Sequence, residues 1–408
     1  MNKRILAGAS VAVASMLALS ACSNGGGTSS QSADSLVWSM WVAGQEDQAA
    51  WQTVADEVKT ADGIDVTIQG APFNDYWTKL RTQLSTGSAP CIVSIQSLRA
   101  ANFTDVMLPL DDLASDSDVD LSEFDTTALD AMKVDGELYA LPYDTGPLMM
   151  FYNKSMFAEA GVDEPTPGWT ADDFETAGAA LKAQGKTLFA PSVEDLFLES
   201  SILAYNGGRV ITEDGDLDVT NAKFAEGLDW IAGLVKNGYA TEASADPSAD
   251  DNAFVNGQAA TFVDGPWSLL GTKSKATFDL GVVTIPTGSD PTTFSAGSGF
   301  GISKECANPD EAFAAIQTMT GDKVLSTLGE EGRAFPARTA AQQSWFDNAD
   351  IEGVQDAFAA AQDGSVPLPG NKNSDQLAQL LAQYAIQAIN GQSSSADTLS
   401  QISSQLPK

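Results

Sequence analysis

The chain has 408 residues, of which 43% are hydrophobic, and its formal net charge at pH 7 is −34. This acidic excess disfavours binding to nucleic-acid backbones or to anionic lipid headgroups. The sequence contains no histidine, which excludes Ser-His-Asp and Cys-His catalysis and the common zinc sites. Beyond its N-terminal segment, the chain is long enough to form two lobes.

The N-terminus has the pattern of an export signal. Lys3 and Arg4 precede an uncharged stretch, residues 5–19, that is short for a membrane-spanning helix. The Leu-Ser-Ala-Cys ending resembles the bacterial lipobox, in which Cys22 would be lipidated and become the mature N-terminus. The alternative is an ordinary signal peptide (residues 1–22) with an incidental cysteine. Residues 23–35 are rich in Gly, Ser and Gln and predict a flexible tether with a reach of roughly 40 Å.

Residues 36–95 alternate between the period-2 pattern of strands and the 3.6-residue pattern of amphipathic helices. Strands are predicted at 36–42, 64–68 and 91–95, and amphipathic helices lie between them, at 45–60 and from a cap at Asn74 to a stop at Gly87. This order predicts a parallel sheet with right-handed crossovers. Such sheets bind ligands beyond the carboxyl ends of their strands.

A second α/β pattern follows along the chain. Thr170 and Asp173 form a predicted capping box, a strand is predicted at 187–191, and Asp214-Gly215 indicates a hairpin turn. Further helices are predicted at 221–238, with Phe224, Leu228, Ile231 and Val235 inward, at about 308–320, and around Leu377, Leu380, Leu381 and Tyr384. No linker separates the two α/β patterns. We therefore expect two lobes between which the chain crosses several times, so that each lobe contains strands from both parts of the chain.

Three segments carry a family resemblance. LPYDTGPLMMFYNKSMFAEAG (141–161), AFVNGQAATFVDGPW (253–267) and GSGFGISKECANPDEAFAAI (297–316) are similar to the lobe crossing, the Gly-x-Trp turn and the Gly-rich return strand of solute-binding proteins of ABC importers. With the lipobox, these matches follow the family order and cover most of residues 36–390. The chain therefore resembles the extracellular solute-binding protein family, in its maltose- and oligosaccharide-binding branch. One departure is Cys91, where the family usually has Asp.

The resemblance implies an α/β, periplasmic-binding-protein-like fold, in which two lobes joined by several hinge crossings close around a ligand cleft. We expect residues 36–142 plus about 290–325 in the N-terminal lobe, and 143–289 plus about 326–408 in the C-terminal lobe. The implied function is non-catalytic: a monomer, lipid-anchored at the extracellular face of the bacterial cell membrane, captures a neutral oligosaccharide and delivers it to ABC permease subunits. No cofactor, metal or nucleic acid is expected.

A sugar pocket needs flat aromatic rings for the C–H faces of the sugar and polar groups for its hydroxyls. Trp267, placed by Gly265 and Pro266 at a strand end, is where the resembled family stacks a sugar ring. The candidates at strand ends, at the lobe crossing or in the Gly-rich segment are Trp41, Glu46, Asp47, Gln96, Ser97, Arg99, Tyr143, Asp144, Thr145, Gly299 and Phe300. Phe197 lies where the resembled family often supplies an aromatic ring from the second lobe, and Arg333 is expected at the edge of the cleft. Trp51, Trp77 and Trp230 lie in apolar helical stripes and are predicted to be core residues.

Two motifs lack the residues that their usual ligands require. DSDVD (116–120) begins like a calcium loop, but Leu121 and Thr127 occupy the positions that need Gly and Glu. GSGFG (297–301) is not followed by Lys-Ser/Thr, so it indicates a close backbone approach rather than a phosphate site. Cys91 and Cys306 either form a disulfide or remain buried thiols.

Two other functions remain open at this stage. With the same fold, Glu46, Asp47 and Asp144 beside tryptophans could hold a cationic solute such as a polyamine. A secreted carbohydrate-active enzyme needs only two carboxylates and no histidine, so the composition alone leaves it possible.

Overall fold

The computed structural model describes residues 31–42, 44–117, 119–289 and 292–407. The predicted signal peptide, the lipobox cysteine Cys22 and residues 23–30 of the predicted tether lie outside the described residues. Within the described part, every helix is too short or too polar to cross a membrane.

Strands and helices alternate along most of the chain. The strands are β1 Ser35–Trp41, β2 Asp65–Ala71, β3 Ile92–Gln96, β4 Met107–Leu108, β5 Lys133–Val134, β6 Glu137–Leu138, β7 Leu141–Pro147, β8 Met149–Asn153, β9 Thr187–Phe189, β10 Ala259–Asp264, β11 Leu280–Val283, β12 Thr293–Ser303 and β13 Ser365–Pro367. The α-helices are α1 Gln45–Asp62, α2 Phe73–Ser85, α3 Asp111–Ser115, α4 Thr126–Ala131, α5 Lys154–Ala160, α6 Ala171–Ala183, α7 Asp195–Asn206, α8 Ala222–Lys236, α9 Ala249–Val255, α10 Pro266–Lys275, α11 Pro309–Met319, α12 Asp322–Glu330, α13 Gln342–Ala349, α14 Val354–Asp363, α15 Ser374–Ile389 and α16 Ser395–Gln405. Short 3-10 turns lie at Ser97–Asn102, Leu121–Glu123 and Thr339–Ala341.

Two main sheets form the two lobes. The first sheet has the order β13-β12-β3-β1-β2, and β4 and β7 also pair with β12. In its centre β1 is parallel to both β2 and β3, with Trp38 opposite Ile68 and Ile92. The second sheet has the order β11-β8-β10-β9. The predicted α/β, two-lobed architecture is confirmed, and the residue boundaries of the lobes stay a prediction.

Strand β12 connects the two lobes. Phe300 lies in the core cluster of the first sheet, and Phe294 lies in the cluster that includes strands of the second. Its glycines allow β7 to approach closely, because a Cβ on Gly297 would lie 2.6 Å from the Asp144 carbonyl oxygen and one on Gly299 would lie 2.7 Å from that of Leu141. The Gly-rich segment is thus a close backbone approach, as the sequence indicates.

A disulfide joins Cys91 to Cys306. It ties the residue just before β3 to the segment that follows β12, two strands that already pair antiparallel. Cys91 is fully buried. Of the two states that the sequence leaves open, a disulfide or two buried thiols, the structure shows the disulfide.

The capping and turn signals in the sequence agree with the structure, except that helix α2 starts at a different residue. The capping box of Thr170 and Asp173 is present, and Gly215 takes the positive φ of a turn. Helix α2 begins at Phe73 rather than after a cap at Asn74, because Pro72 precedes it with a fixed φ suited to a helix start.

The buried face of helix α8 differs slightly from the face that the sequence predicts. Leu234 is buried and Val235 is only half-buried, whereas the sequence analysis placed Val235 inward. Phe224, Leu228 and Ile231 are buried as predicted, and Trp230 joins them. The apolar stripe is wide enough that spacing alone does not separate the neighbours Leu234 and Val235.

Candidate functional site

A cavity of about 500 Å³ lies at the carboxyl ends of the parallel strands. Trp41 ends β1, Phe73 follows β2 and Gln96 ends β3, and all three line this cavity. From the second lobe, the start of α7 and Trp267 of α10 complete the lining. We call this space the first cavity. Its position agrees with the rule that open α/β sheets bind ligands beyond their strand ends.

Trp267 lies in the first turn of a helix. Strand β10 ends at Asp264, Gly265 is the helix cap and Pro266 is the first residue of α10. A Cβ on Gly265 would overlap the Trp267 ring, so glycine is needed for the indole to lie against the backbone. The indole is half-buried and packs on the second core cluster, which leaves part of its surface on the cavity.

Packed aromatic rings support the opposite side of the cavity. The Trp41 ring centroid lies 5.7 Å from that of Phe73, 5.3 Å from Tyr76 and 5.5 Å from Trp77. These contacts restrict the Trp41 side chain to one orientation. The cavity is therefore flanked by indole rings from both lobes.

A second aromatic group lies under the lobe crossing. Tyr143 of β7 stacks on Phe300 with centroids 4.7 Å apart, and Trp51 meets Tyr143 edge-on at 5.5 Å. Trp51 is 4% exposed, as expected of a core residue, yet it also lines the first cavity. The tyrosine is consequently held at the cavity by rings on two sides.

The pKa values of two carboxyl groups at the cavity are raised, which favours the neutral form of each group. Burial raises the pKa of Asp144 to about 7, although its Oδ1 accepts a hydrogen bond from the Ser298 amide. Burial, together with the neighbouring Asp195 and Asp250, raises the pKa of Glu194 to about 7. Both groups can therefore donate or accept a hydrogen bond near neutral pH.

The arginines of the cavity are engaged with carboxylates. Arg333 pairs with Asp47 of α1, and its Nε lies 3.2 Å from Glu331. Arg99 pairs with Asp375 at 2.7 Å and lies 3.6 Å from Asp195. These pairs offset the positive charge that the cavity would otherwise present to a ligand. Among the described residues, no group of three or more His, Cys, Asp or Glu is arranged to hold a metal ion.

Stability should depend on pH through Asp144. Its pKa is raised from 3.8 to about 7, so between these values the folded protein binds this proton more tightly than the unfolded chain does. This contribution to the free energy of unfolding is fully present below about pH 4 and is lost progressively as the pH rises to about 7. Asparagine cannot ionise, so we expect Asp144→Asn to raise the free energy of unfolding by about 2–3 kcal/mol more at pH 8 than at pH 5. Urea unfolding at the two pH values measures this, with Asp116→Asn as the exposed control; equal effects at both values would contradict it.

The structure brings most of the predicted site residues together. Nine of them line the first cavity: Trp41, Asp47, Gln96, Arg99, Tyr143, Asp144, Phe197, Trp267 and Arg333. The side chain of Glu46 lies outside the described part of the structure. That these residues contact a ligand stays a prediction.

Four predicted residues are absent from the described lining of this cavity. Ser97 lies beneath it, where its Oγ accepts a hydrogen bond from the Gly297 amide at 3.3 Å. Thr145 is 3% exposed. Gly299 is a residue of β12 and lies between β3 and β7, and Phe300 lies under the Tyr143 ring. Proximity along the chain predicts these four residues at the cavity, but tight strand pairing holds them behind its surface.

The lining also includes residues that the sequence analysis did not single out. Phe73 lies two residues beyond the end of β2, but the sequence predicts that this strand ends at residue 68, so the strand-end rule does not select it. Glu194 and Asp195 begin α7, close to Phe197. The others are Trp51, Leu196, Gly271, Ala296, Gly297, Ser298, Glu331 and Gly332. Of these, Trp51 is predicted to be core, and Gly297 and Ser298 belong to the Gly-rich segment.

Comparison with protein families finds one model that covers most of the chain. The model described as "Bacterial extracellular solute-binding protein" matches residues 53–355. Among curated relatives, the lactose-binding protein of Rhizobium radiobacter is 27% identical, over 70% of this chain and 72% of its own length. The maltodextrin-binding protein MdxE of Bacillus subtilis is 26% identical, and the match spans 54% of this chain and 55% of that protein.

Solved structures show the same fold. The Listeria monocytogenes ABC substrate-binding protein Lmo0181, in complex with cycloalternan, superposes with a TM-score of 0.79 at 23% identity, over 91% of this chain and 97% of that chain. The sugar-binding protein MalE of Xanthomonas citri superposes with a TM-score of 0.75 at 20% identity, over 91% and 96%. At this identity the likeness establishes the fold.

Proposed function

This chain belongs to the bacterial extracellular solute-binding protein family, and from that premise we propose that it captures a neutral sugar, an oligosaccharide, in the first cavity and releases it to an ABC permease. The observation that carries the proposal is the pair of indole rings, Trp41 and Trp267, at one cavity ringed by polar groups. Flat rings suit the C–H faces of a sugar, and the polar groups suit its hydroxyls. The lactose- and maltodextrin-binding relatives support the same ligand class.

A neutral ligand suits the charges of the cavity. Because Arg99 and Arg333 are paired with carboxylates, they would have to give up those partners to bind an anion. Asp144 and Glu194, with their raised pKa values, can hydrogen-bond sugar hydroxyls without a full charge. We therefore propose that the protein binds its ligand by stacking and hydrogen bonds and performs no catalysis on it.

The proposed mode of action includes a membrane anchor. Cys22 in the Leu-Ser-Ala-Cys sequence supports lipidation, and the Gly/Ser-rich segment after it supports a tether. In this proposal the protein is a monomer, held at the extracellular face of the bacterial cell membrane. The lobes close on the sugar by bending of β7 and β12 and present it to the permease subunits.

A thermal-shift screen tests the ligand class. The protein without residues 1–22 is heated with neutral oligosaccharides, with spermidine and with organic anions. At about 100 times its dissociation constant, a ligand adds about 2.7 kcal/mol to stability, so we expect one class of oligosaccharide to raise the melting temperature by a few degrees. Spermidine and the anions should leave it unchanged.

The same screen tests the competing ligand. A cation beside Asp144 and Glu194 would favour the charged forms of these carboxyl groups, so a cationic solute is the second candidate. A melting-temperature rise with spermidine alone would assign the cavity to cations. If no sugar of the panel raises the melting temperature, the proposed ligand class is refuted, although the family assignment still holds.

A further inference from the structure

A second cavity of about 800 Å³ lies beside the first, between α2 and α15. Four residues line both cavities: Phe73, Arg99, Glu194 and Asp195. These four shared residues therefore form the partition between the two spaces. A ligand can extend from the first cavity into the second only if the residues of this partition move, so the contacts that hold these residues in place decide whether it does.

Arg99 lies within the partition and contacts groups on both sides of it. Its Nη1 donates to Gln96, which lines the first cavity, and its Nε donates to Oδ1 of Asp375, which lines the second, at 2.7 Å. The guanidinium also covers the Trp77 ring, with its Cζ 4.9 Å from the ring centroid, and the Phe73 ring, at 5.5 Å. With 6% of its surface exposed, Arg99 fills the gap between the cavities.

The Arg99 contacts cross from one lobe to the other. Arg99 follows β3 of the first sheet, whereas Asp195 and Asp375 begin helices α7 and α15, which pack in the second core cluster. The neighbouring Leu98 packs in that second cluster as well. A buried guanidinium with several charge-assisted hydrogen bonds is held in one geometry. In the arrangement of the lobes that the structure shows, the partition is thus a wall of the first cavity.

We propose that Arg99 closes one end of the sugar cavity and thereby sets the length of the oligosaccharide that the protein accepts. A cavity of about 500 Å³ suits a small ligand, here a di- or trisaccharide. A longer chain would have to displace Arg99 from Asp375 to enter the second cavity. Arg99 is buried, and displacing it would separate its charge from the partly exposed Asp375 carboxylate, which is costly, so length discrimination follows from the partition. This inference rests on the proposed sugar function.

A length series tests the inference. Calorimetric titrations use the disaccharide to the hexasaccharide of the series that is active in the screen, malto- or chito-oligosaccharides. The wild-type protein should bind the hexasaccharide at least about tenfold more weakly than the di- or trisaccharide. Arg99→Ala opens the first cavity into the second, so the ratio of hexasaccharide to disaccharide dissociation constants should fall by about tenfold.

Two further variants separate the partition from other effects of arginine loss. Among the described lining residues, Asp375 belongs to the second cavity and not to the first, so Asp375→Ala loosens Arg99 without removing a wall of the sugar cavity. We expect the ratio to fall by about threefold in this variant, which also serves if Arg99→Ala does not fold. Arg81→Ala is the matched control, because Arg81 lines the second cavity and pairs with Asp105. Its ratio should equal that of the wild type.

The outcomes distinguish this inference from the proposed function. If the wild type binds all lengths equally, or if Arg99→Ala and Asp375→Ala leave the ratio unchanged while the disaccharide still binds, the partition does not set ligand length. If no neutral oligosaccharide raises the melting temperature of the wild type in the screen, the proposed sugar function fails and the inference fails with it.

Discussion

Replacing Trp267 with alanine should weaken sugar binding by about 100-fold, which corresponds to about 2.7 kcal/mol. The indole offers the cavity a flat face from the second lobe, and alanine removes both the stacking surface and the apolar area that a sugar ring would cover. Because the side chain is half-buried and lies at the edge of its core cluster, the fold should remain near native. Isothermal titration calorimetry measures the affinity, and circular dichroism verifies the fold.

Two substitutions serve as controls for Trp267. Trp267→Phe keeps an aromatic face, so we expect it to retain most of the affinity. Trp230 is 9% exposed and its ring stacks on Tyr205 at 4.4 Å, away from the described lining of the first cavity. Trp230→Phe should therefore leave affinity unchanged. Wild-type affinity in a well-folded Trp267→Ala variant would show that this indole is a rim or packing residue.

Removing the disulfide should produce the largest loss of stability. Cys91 and Cys306 are 215 positions apart, so their bond closes a long loop in the unfolded chain. For a loop of this length, the chain-entropy model gives a stabilisation of about 5 kcal/mol. The double variant Cys91→Ala/Cys306→Ala should lose about 3–5 kcal/mol in urea unfolding while it still binds the sugar under native conditions.

A reductant provides the matched control for the disulfide prediction. Alanine also removes side-chain volume at a fully buried position, and this packing effect has to be separated from the loss of the cross-link. The stability of the wild type should fall in the presence of dithiothreitol toward that of the double variant, and the double variant should not respond. If reduction leaves the wild-type unfolding curve unchanged, the bond contributes little to stability.

The fold was largely predictable because its signals are local. The periodicities of β1, α1 and β3 and the capping box at Thr170 each depend on residues within one element. The start of α2 was misplaced because Asn74 and Pro72 are both acceptable start signals two residues apart. The disulfide could not be decided from the sequence, since pairing depends on whether β3 and β12 become neighbours.

The site was predictable where strand ends determine it. Trp41 and Gln96 line the cavity because parallel strands present their carboxyl ends at one edge. Phe300 was misplaced because a side chain next to a cleft along the chain can still point into the core, here under Tyr143. The role of Arg99 in the partition depends on Asp375, 276 positions away, and such a contact has no local sequence signal.

A crystal structure of the protein with the sugar that gives the largest melting-temperature rise tests the central claim most directly. We expect a sugar ring stacked on Trp267 within the first cavity, with hydroxyls hydrogen-bonded to cavity residues such as Asp144 and with the chain ending at Arg99. A sugar bound elsewhere on the surface, with the first cavity filled by solvent alone, would contradict it.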